Sequence, residues 1–498
     1  MPKYLQSKTN RIIQLSLDRP TGNFWIDTGL VVLINHFGEG QHTVEEVLEW
    51  LQNQLLKKTG NVGEYYDLSN NKICKYEKVN WAYPINFFIK VSGKASKIKI
   101  NDIEYPTHPP KFELKLKLSK KEEPCDICWE TAPLTEAKMW MYPFIVDPEK
   151  FGNFYSGNLR GLKLCARCAL AGLAGYLGWL WKAQGGNVLH FFIFHSELRE
   201  MKRLHEEVLR PLMKETCAEK GGSAPTEFAG PYIHETTLGL LLALFAHIHQ
   251  SYQLNESARK LLADLLGASA TSVSTIPIIL YAITGTAERA FNMQMVKEFS
   301  KLQSLYRLYE EWLEVLKNVK GVYNPHRQLV QILGQFWAQQ GQNQETIWRD
   351  RIAQAILEFS DPLPFIEQFL FEIKAKEDKP RPFIKGTLEV FNHYLREVIG
   401  MDEKFQQNLK KLGESLGKNV YQNNEMGLLY ALRNAKNPED FYRVLNDVQF
   451  RLKITIPEEL LKIEKGEKIA GMPWVRIKTL LSIYAMNSYL RQASGQEK

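Results

Sequence analysis

Cysteine is scarce, with 6 residues in a chain of 498, too few for the disulfide framework that braces small secreted domains. No apolar run reaches the ~18 residues that a membrane-spanning helix needs; the longest, 169–181 and 238–248, read as buried helices. The opening MPKYLQSKTNR has no apolar core segment, so no secretory leader, a cytoplasmic location and no membrane partner are expected. Catalytic signatures are missing as well. There is no GxxxxGK[ST] loop and no HExxH, and neither GxSxG nor GxGxxG stands in a strand–helix context. His190, His195, His234, His247 and His249 are scattered without a metal-binding spacing. With no acid, base or nucleophile constellation in view, a binding subunit is expected rather than an enzyme.

What is present is an ordinary globular composition, 44% hydrophobic, 24% charged and 11% aromatic, sufficient for two or three domains with a large core. The net charge of +7 is mild, but it is unevenly placed. Residues 1–121 carry 18 basic and 12 acidic side chains, 122–380 carry 26 and 30, and 381–498 carry 19 and 14. Two basic ends around an acidic middle suit contact with a polyanion at two places. Uneven solvation of surface faces accounts for the same pattern.

The expected fold class is α+β: a strand-rich N-terminal part (1–121), a metal-binding insertion (122–170), a mainly helical part (171–380) and a C-terminal helical bundle (381–498). GLVVLIN (29–35) reads as a buried strand. TVEEVLEWLQNQLLKK (43–58) reads as a helix capped by Thr43, with Val44, Val47, Leu48, Leu51 and Leu55 on one face. KIKINDIEY (97–105) and KFELKLKLSK (111–120) alternate as half-buried strands, the second turning Phe112, Leu114, Leu116 and Leu118 inward. From about Cys168 the pattern is helical throughout. One helix is predicted to carry Val296, Phe299, Leu302, Tyr306, Tyr309, Leu313 and Leu316, and another spans 345–359. The charged, proline-broken stretch 374–382 is the predicted domain boundary. Terminal helices are predicted around 383–399, 402–416, 424–434, 438–452 and 472–492, the fourth opened by Asn437 before Pro438.

Four of the six cysteines form two pairs, CDIC (Cys125, Cys128) and CARC (Cys165, Cys168), separated by 36 residues. Each Cys-x-x-Cys knuckle offers two thiolates, and two knuckles complete a tetrahedral site, for which one structural zinc ion per chain is the natural occupant. An iron–sulfur cluster or a redox pair is the alternative. Four thiolates leave no open position for catalysis. Lys111, Lys115, Lys117, Lys120 and Lys121 lead into the first knuckle, and Arg160, Lys163 and Arg167 surround the second; cations so placed suit phosphates, or simply solvate a strand face. Near the C-terminus Arg433, Lys436, Arg443 and Arg451 follow the predicted helices and suit the backbone of a single strand, or a solvated bundle surface.

FWIDTGLVVL (24–33), the paired CDIC and CARC, and LLYALRNAKNPEDFYRVLNDVQFRL (428–452) together resemble the CXXC–CXXC family of CRISPR-associated proteins, the eighth Cas family. The resemblance implies a non-catalytic large subunit of a type I effector complex, or Cascade. Such a subunit contacts the CRISPR RNA beside the handle-binding subunit and the backbone subunits. It recognises the protospacer-adjacent motif in target double-stranded DNA and helps open it, forming an R-loop. The resemblance also implies a C-terminal bundle like the small subunit, facing the displaced strand, and recruitment of a helicase–nuclease. It carries over the four cysteines only. An internal start at Met401 would yield a separate 98-residue small subunit. Outside the family, the sequence admits a metal-dependent nuclease or a zinc-containing scaffold with no nucleic-acid role.

Overall fold

The segment FWIDTGLVVLINHF forms helix α1 (Phe24–Phe37), where a strand over 29–35 was expected. The computed structural model describes residues 11–81, 96–109, 116–137, 161–178, 180–184, 187–210, 224–254, 278–287, 291–341, 343–377 and 380–495. Asn23 decides the helix, its side chain accepting from the N–H groups of Trp25 and Ile26. Because α1 is buried on all sides from Trp25 to Ile34, its sequence shows no polar face, and an unbroken apolar run does not distinguish helix from strand.

The chain divides into two compact units, Met1–Pro225 with Ser251–Ser300, and Thr226–Gln250 with Lys301–Lys498. In the first, β1 (Ile12–Leu15) pairs antiparallel with β2 (Gly40–Thr43). Thr43 then caps α2 (Val44–Leu55) as predicted, with Val44, Val47, Leu51 and Leu55 buried. The helix stops at Leu55 because the chain passes into a long hairpin, β3 (Leu56–Asp67) and β4 (Lys72–Trp81). The run 97–105 is not one strand but a tight hairpin, β5 (Lys97–Ile100) and β6 (Ile103–Pro106). It turns at Asn101 and Asp102, whose φ values of 49° and 63° match a two-residue turn that requires left-handed residues. Of the second predicted strand, 111–115 lie outside the described residues, and 116–119 take no regular structure, although Leu116 and Leu118 stay half-buried and Lys117 exposed.

A three-stranded sheet, β7 (Glu122–Pro124), β8 (Thr131–Glu136) and β9 (Lys163–Cys165), leads into α3 (Ala166–Gly178). Helices α1 and α3 approach very closely. A Cβ added at Gly29 would lie 1.7 Å from the Ala171 carbonyl oxygen, and Trp25 Nε1 donates to Gly172 O at 2.7 Å. Beyond α3, the helical expectation holds for 233–254, which is a helix containing the run 238–248, but fails for 180–194 and 279–299. Residues 180–299 supply a four-stranded antiparallel sheet, β10 (Leu180–Gln184), β11 (Asn187–Phe194), β12 (Ile279–Ala287) and β13 (Phe291–Phe299). NVLHFFIF and ILYAITGTA are rich in aromatic and β-branched residues that suit a buried pleated face. Phe24 packs on Phe192 and Tyr281 with ring centres 4.9 and 4.8 Å apart. Helix α4 (Leu198–Leu204) continues into one π turn, His205–Leu209.

In the second unit, α5 (Ile233–Leu254) is followed by α6 (Leu302–Lys317), which begins six residues after Val296 because β13 claims Val296 and Phe299. Then come α7 (Pro325–Gly334), α8 (Ile347–Leu357) and α9 (Leu363–Lys376). Asp350 accepts from the backbone of His234 and Glu235 at 2.8 and 3.0 Å, and Arg349 Nε donates to buried Glu235 at 2.6 Å, so α8 clamps the start of α5.

The predicted terminal helices are present as α10 (Thr387–Glu397), α11 (Glu403–Gln422), α12 (Gly427–Asn434), α13 (Pro438–Leu452) and α14 (Trp474–Ala493), with Asn437 capping α13. The string GESLG (413–417) falls mid-helix in α11, where a Cβ on Gly417 would stand 2.1 Å from Ala485 O of α14; close packing accounts for it. The stretch 374–382 does not separate the units. Arg381 lies 3.7 Å over the Trp337 ring, and the amides of Phe383 and Ile384 donate to Asn487 and Gln335 at 2.8 and 2.9 Å. Arg381 and the two amides that follow the stretch are thus tied to residues on both sides of it, and the terminal helices belong to the same unit as residues 301–376. Among the described residues no helix is long and apolar enough to cross a membrane.

Candidate metal centre

The first knuckle, Cys125–Cys128, fills the turn between β7 and β8; the second, Cys165–Cys168, runs from the end of β9 into the first turn of α3. Pairing of β8 with β9, which sets Leu134 opposite Cys165, brings the two knuckles together across 36 intervening residues. All four Sγ atoms lie within 4.8 Å of one another, and Cys128 Sγ is 3.6 Å from Cys165 Sγ. A tetrahedral ion with metal–sulfur bonds near 2.3 Å holds its sulfurs about 3.8 Å apart, so the cluster fits a metal ion. Among the described residues it is the only convergent group of three or more cysteine, histidine or carboxylate ligand atoms.

The backbone is arranged for thiolates. Cys165 N–H points at Cys125 Sγ at 3.3 Å and Cys168 N–H at Cys165 Sγ at 3.5 Å, and Cys168 sits in the N-terminal turn of α3, where the helix dipole favours negative charge. Hydrogen bonds from Cys128, Cys165 and Cys168 drive the Cys125 thiol far below its ordinary range, whereas hydrogen bonding with Cys125, Cys128 and Cys165, together with burial, pushes Cys168 well above it. Four thiols so close ionise together only around a cation. An ion held by all four sulfurs would have no vacant position for a substrate.

The cations singled out near the knuckles divide. Arg167 is 5% exposed and turned inward, donating to Arg19 O at 3.3 Å and pairing with Glu130 at 3.3 Å. Burial opposes its charge, but the hydrogen bond to Cys128 and the charges of Cys168 and Glu130 outweigh it, holding the guanidinium above its ordinary pKa. Lys163 pairs with Glu123 at 2.8 Å. Lys117, Lys120 and Lys121 are exposed, the last 3.4 Å from Glu123. Lys111, Lys115 and Arg160 lie outside the described residues.

The C-terminal cations divide similarly. Arg433 lies over the Phe371 ring at 4.7 Å. Arg443 and Arg451 pair with Asp440 and Glu425 at 3.5 and 2.6 Å, and Lys436 is exposed. A groove of about 560 Å³ gathers cations and amides that belong to no sequence motif. Asn408, Lys411, Ser415 and Asn419 of α11 line one wall, and Lys453 and Thr455 the other; no carboxylate lines it, and Glu459 at its edge accepts from Asn408 at 3.1 Å. Lys411 and Lys453 are exposed and make no ion pair among the described residues. The signal was the polar spacing 408, 411, 415, 419, a stripe of threes and fours on one helix face.

No family model matches the chain, and no curated protein is significantly similar to it.

Proposed function

We propose that the chain is a zinc-stabilised, non-catalytic large subunit of a type I CRISPR RNA-guided surveillance complex. The observation that carries this reading is the closed four-cysteine centre, formed by the very residues on which the sequence resemblance rests. In this reading the zinc pins two knuckles, and the surrounding unit faces the guide-RNA handle, the handle-binding and backbone subunits, and the protospacer-adjacent motif in duplex DNA. The C-terminal helices face the displaced strand. The groove flanked by Lys411 and Lys453 supports that assignment, because neutralising phosphates releases counterions and a carboxylate-free wall does not repel them. Base pairing then reads the long target, the protein reads a short duplex signal and backbone shape, and cleavage is left to a recruited helicase–nuclease.

The test uses the full chain, alone and co-expressed with CRISPR RNA and the other subunits. Elemental analysis is expected to return one zinc per chain in the wild type and none in Cys165→Ser, whose complex yield falls. Gel shifts are expected with target duplexes that carry the motif. Cleavage of labelled DNA by the pure chain with divalent metal would overturn the reading in favour of a nuclease. A zinc-loaded chain that neither shifts DNA nor joins the complex would be a scaffold.

A further inference from the structure

We propose that Trp129, at the tip of the first knuckle, is a stacking platform for one unpaired base of a nucleic acid; this rests on the nucleic-acid reading above. Trp129 directly follows Cys128 and is 77% exposed. Its φ of +62° is a left-handed conformation in which a bulky side chain is an outlier. The turn itself does not need the ring. It is held by backbone alone, Trp129 N–H to Cys125 O and Cys125 N–H to Glu130 O, both at 3.0 Å, and a glycine would make the same bonds without strain. The indole makes no ring contact or hydrogen bond among the described residues. The chain therefore bears two costs here, backbone strain and a large apolar surface in water, with no ring contact or side-chain hydrogen bond among the described residues to offset either. Such an outlier points to a task outside the chain.

The setting favours a base over a protein. In the next position Glu130 pairs with exposed Arg19 at 3.4 Å, and on the approach to β7 Lys121 pairs with Glu123 at 3.4 Å, while exposed Lys120 makes no ion pair among the described residues and is the cation free to meet a phosphate. A protein interface draws on a broad apolar patch around its aromatic anchor, whereas one base stacks on one ring, with cations nearby for the flanking phosphates. The metal centre makes the mount rigid, since Cys128 anchors the residue directly before the ring.

The full chain is compared with Trp129→Gly and Trp129→Phe, using labelled single-stranded polythymidine across a salt series together with thermal unfolding. Trp129→Gly is expected to keep or raise the unfolding midpoint while weakening single-strand binding about 5- to 150-fold. The salt slope stays unchanged because no phosphate contact is lost, and Trp129→Phe retains most of the affinity. Wild-type affinity in Trp129→Gly would overturn the inference, leave nucleic-acid binding intact and assign the ring to a protein partner. A fall in both midpoint and affinity would make the ring a structural element and overturn it too. A wild-type chain that binds no nucleic acid, alone or in the assembled complex, would remove the underlying reading and this inference together.

Discussion

Asp126 and Lys163 hold each other's backbone: Lys163 N–H donates to Asp126 Oδ2 at 2.7 Å, and Asp126 N–H donates back to Lys163 O at 3.0 Å. One residue follows Cys125 and the other precedes Cys165 by two, so this reciprocal bond sets the separation of the two knuckles. It does for the metal centre what second-shell hydrogen bonds do for metal ligands generally.

Asp126→Ala is therefore expected to keep all four thiols yet loosen the metal by about 10- to 100-fold, measured by competition with a chromophoric chelator. Asp126→Asn, which keeps an acceptor oxygen, should lie between the variant and the wild type. Equal metal retention in Asp126→Ala would show that the strands alone set the knuckle spacing.

Arg167→Ala is expected to cost about 2–3 kcal/mol in denaturant unfolding, since it removes charge-assisted hydrogen bonds from a buried site. If stability held and only DNA affinity dropped, Arg167 would be a surface contact and not a strut.

Replacing Lys411 and Lys453 together with alanine should weaken single-strand binding and flatten the dependence of log K on log salt by about 1.4, twice the single-strand increment per phosphate. Replacing Arg443 and Arg451 should change the slope less, because both are already paired with carboxylates. The reverse ranking would move the contact surface from the groove to α13.

Glu367 gives a pH signature. Burial raises its carboxyl above the ordinary 4.5, against the pull of Lys478 and Arg433, and its Oε1 is buried without a hydrogen bond. The folded state thus binds this proton more tightly than the unfolded state. Its contribution to stability is greatest below 4.5, declines as pH rises through the raised folded value, and is level above it. Glu367→Gln should remove that decline, so the variant gains on the wild type at neutral pH and the gain vanishes in acid; Lys478 stays satisfied by Arg433 O at 2.7 Å. Parallel pH–stability curves for the two proteins would refute this.

Elements with a local signal were legible in the sequence. The caps Thr43 and Asn437 start α2 and α13 where expected, and the threes-and-fours spacing of the terminal helices is matched. Segments buried on every side were not. α1 reads as a strand over 29–35, and β11 falls in a stretch that reads as helical, because a continuous apolar run carries no period from which to choose. Phe299 and Leu302 looked like one stripe, yet they lie on opposite sides of a strand-to-helix junction decided by pairing between β12 and β13.

The metal centre separates the two sources of information most sharply. By itself, the sequence determined the ligand set, because two Cys-x-x-Cys spacings each place a pair of sulfurs on one turn. That the pairs meet was decided by the β8–β9 register and the Asp126–Lys163 bond, which act between residues far apart in the chain. The cations followed the same division. Composition counted Arg167, Arg451, Lys411 and Lys453 alike, but the fold buried the first, paired the second with Glu425 and left the two lysines facing an open groove. Charge is a property of the residue, whereas its availability depends on which opposite charge the tertiary structure brings within reach.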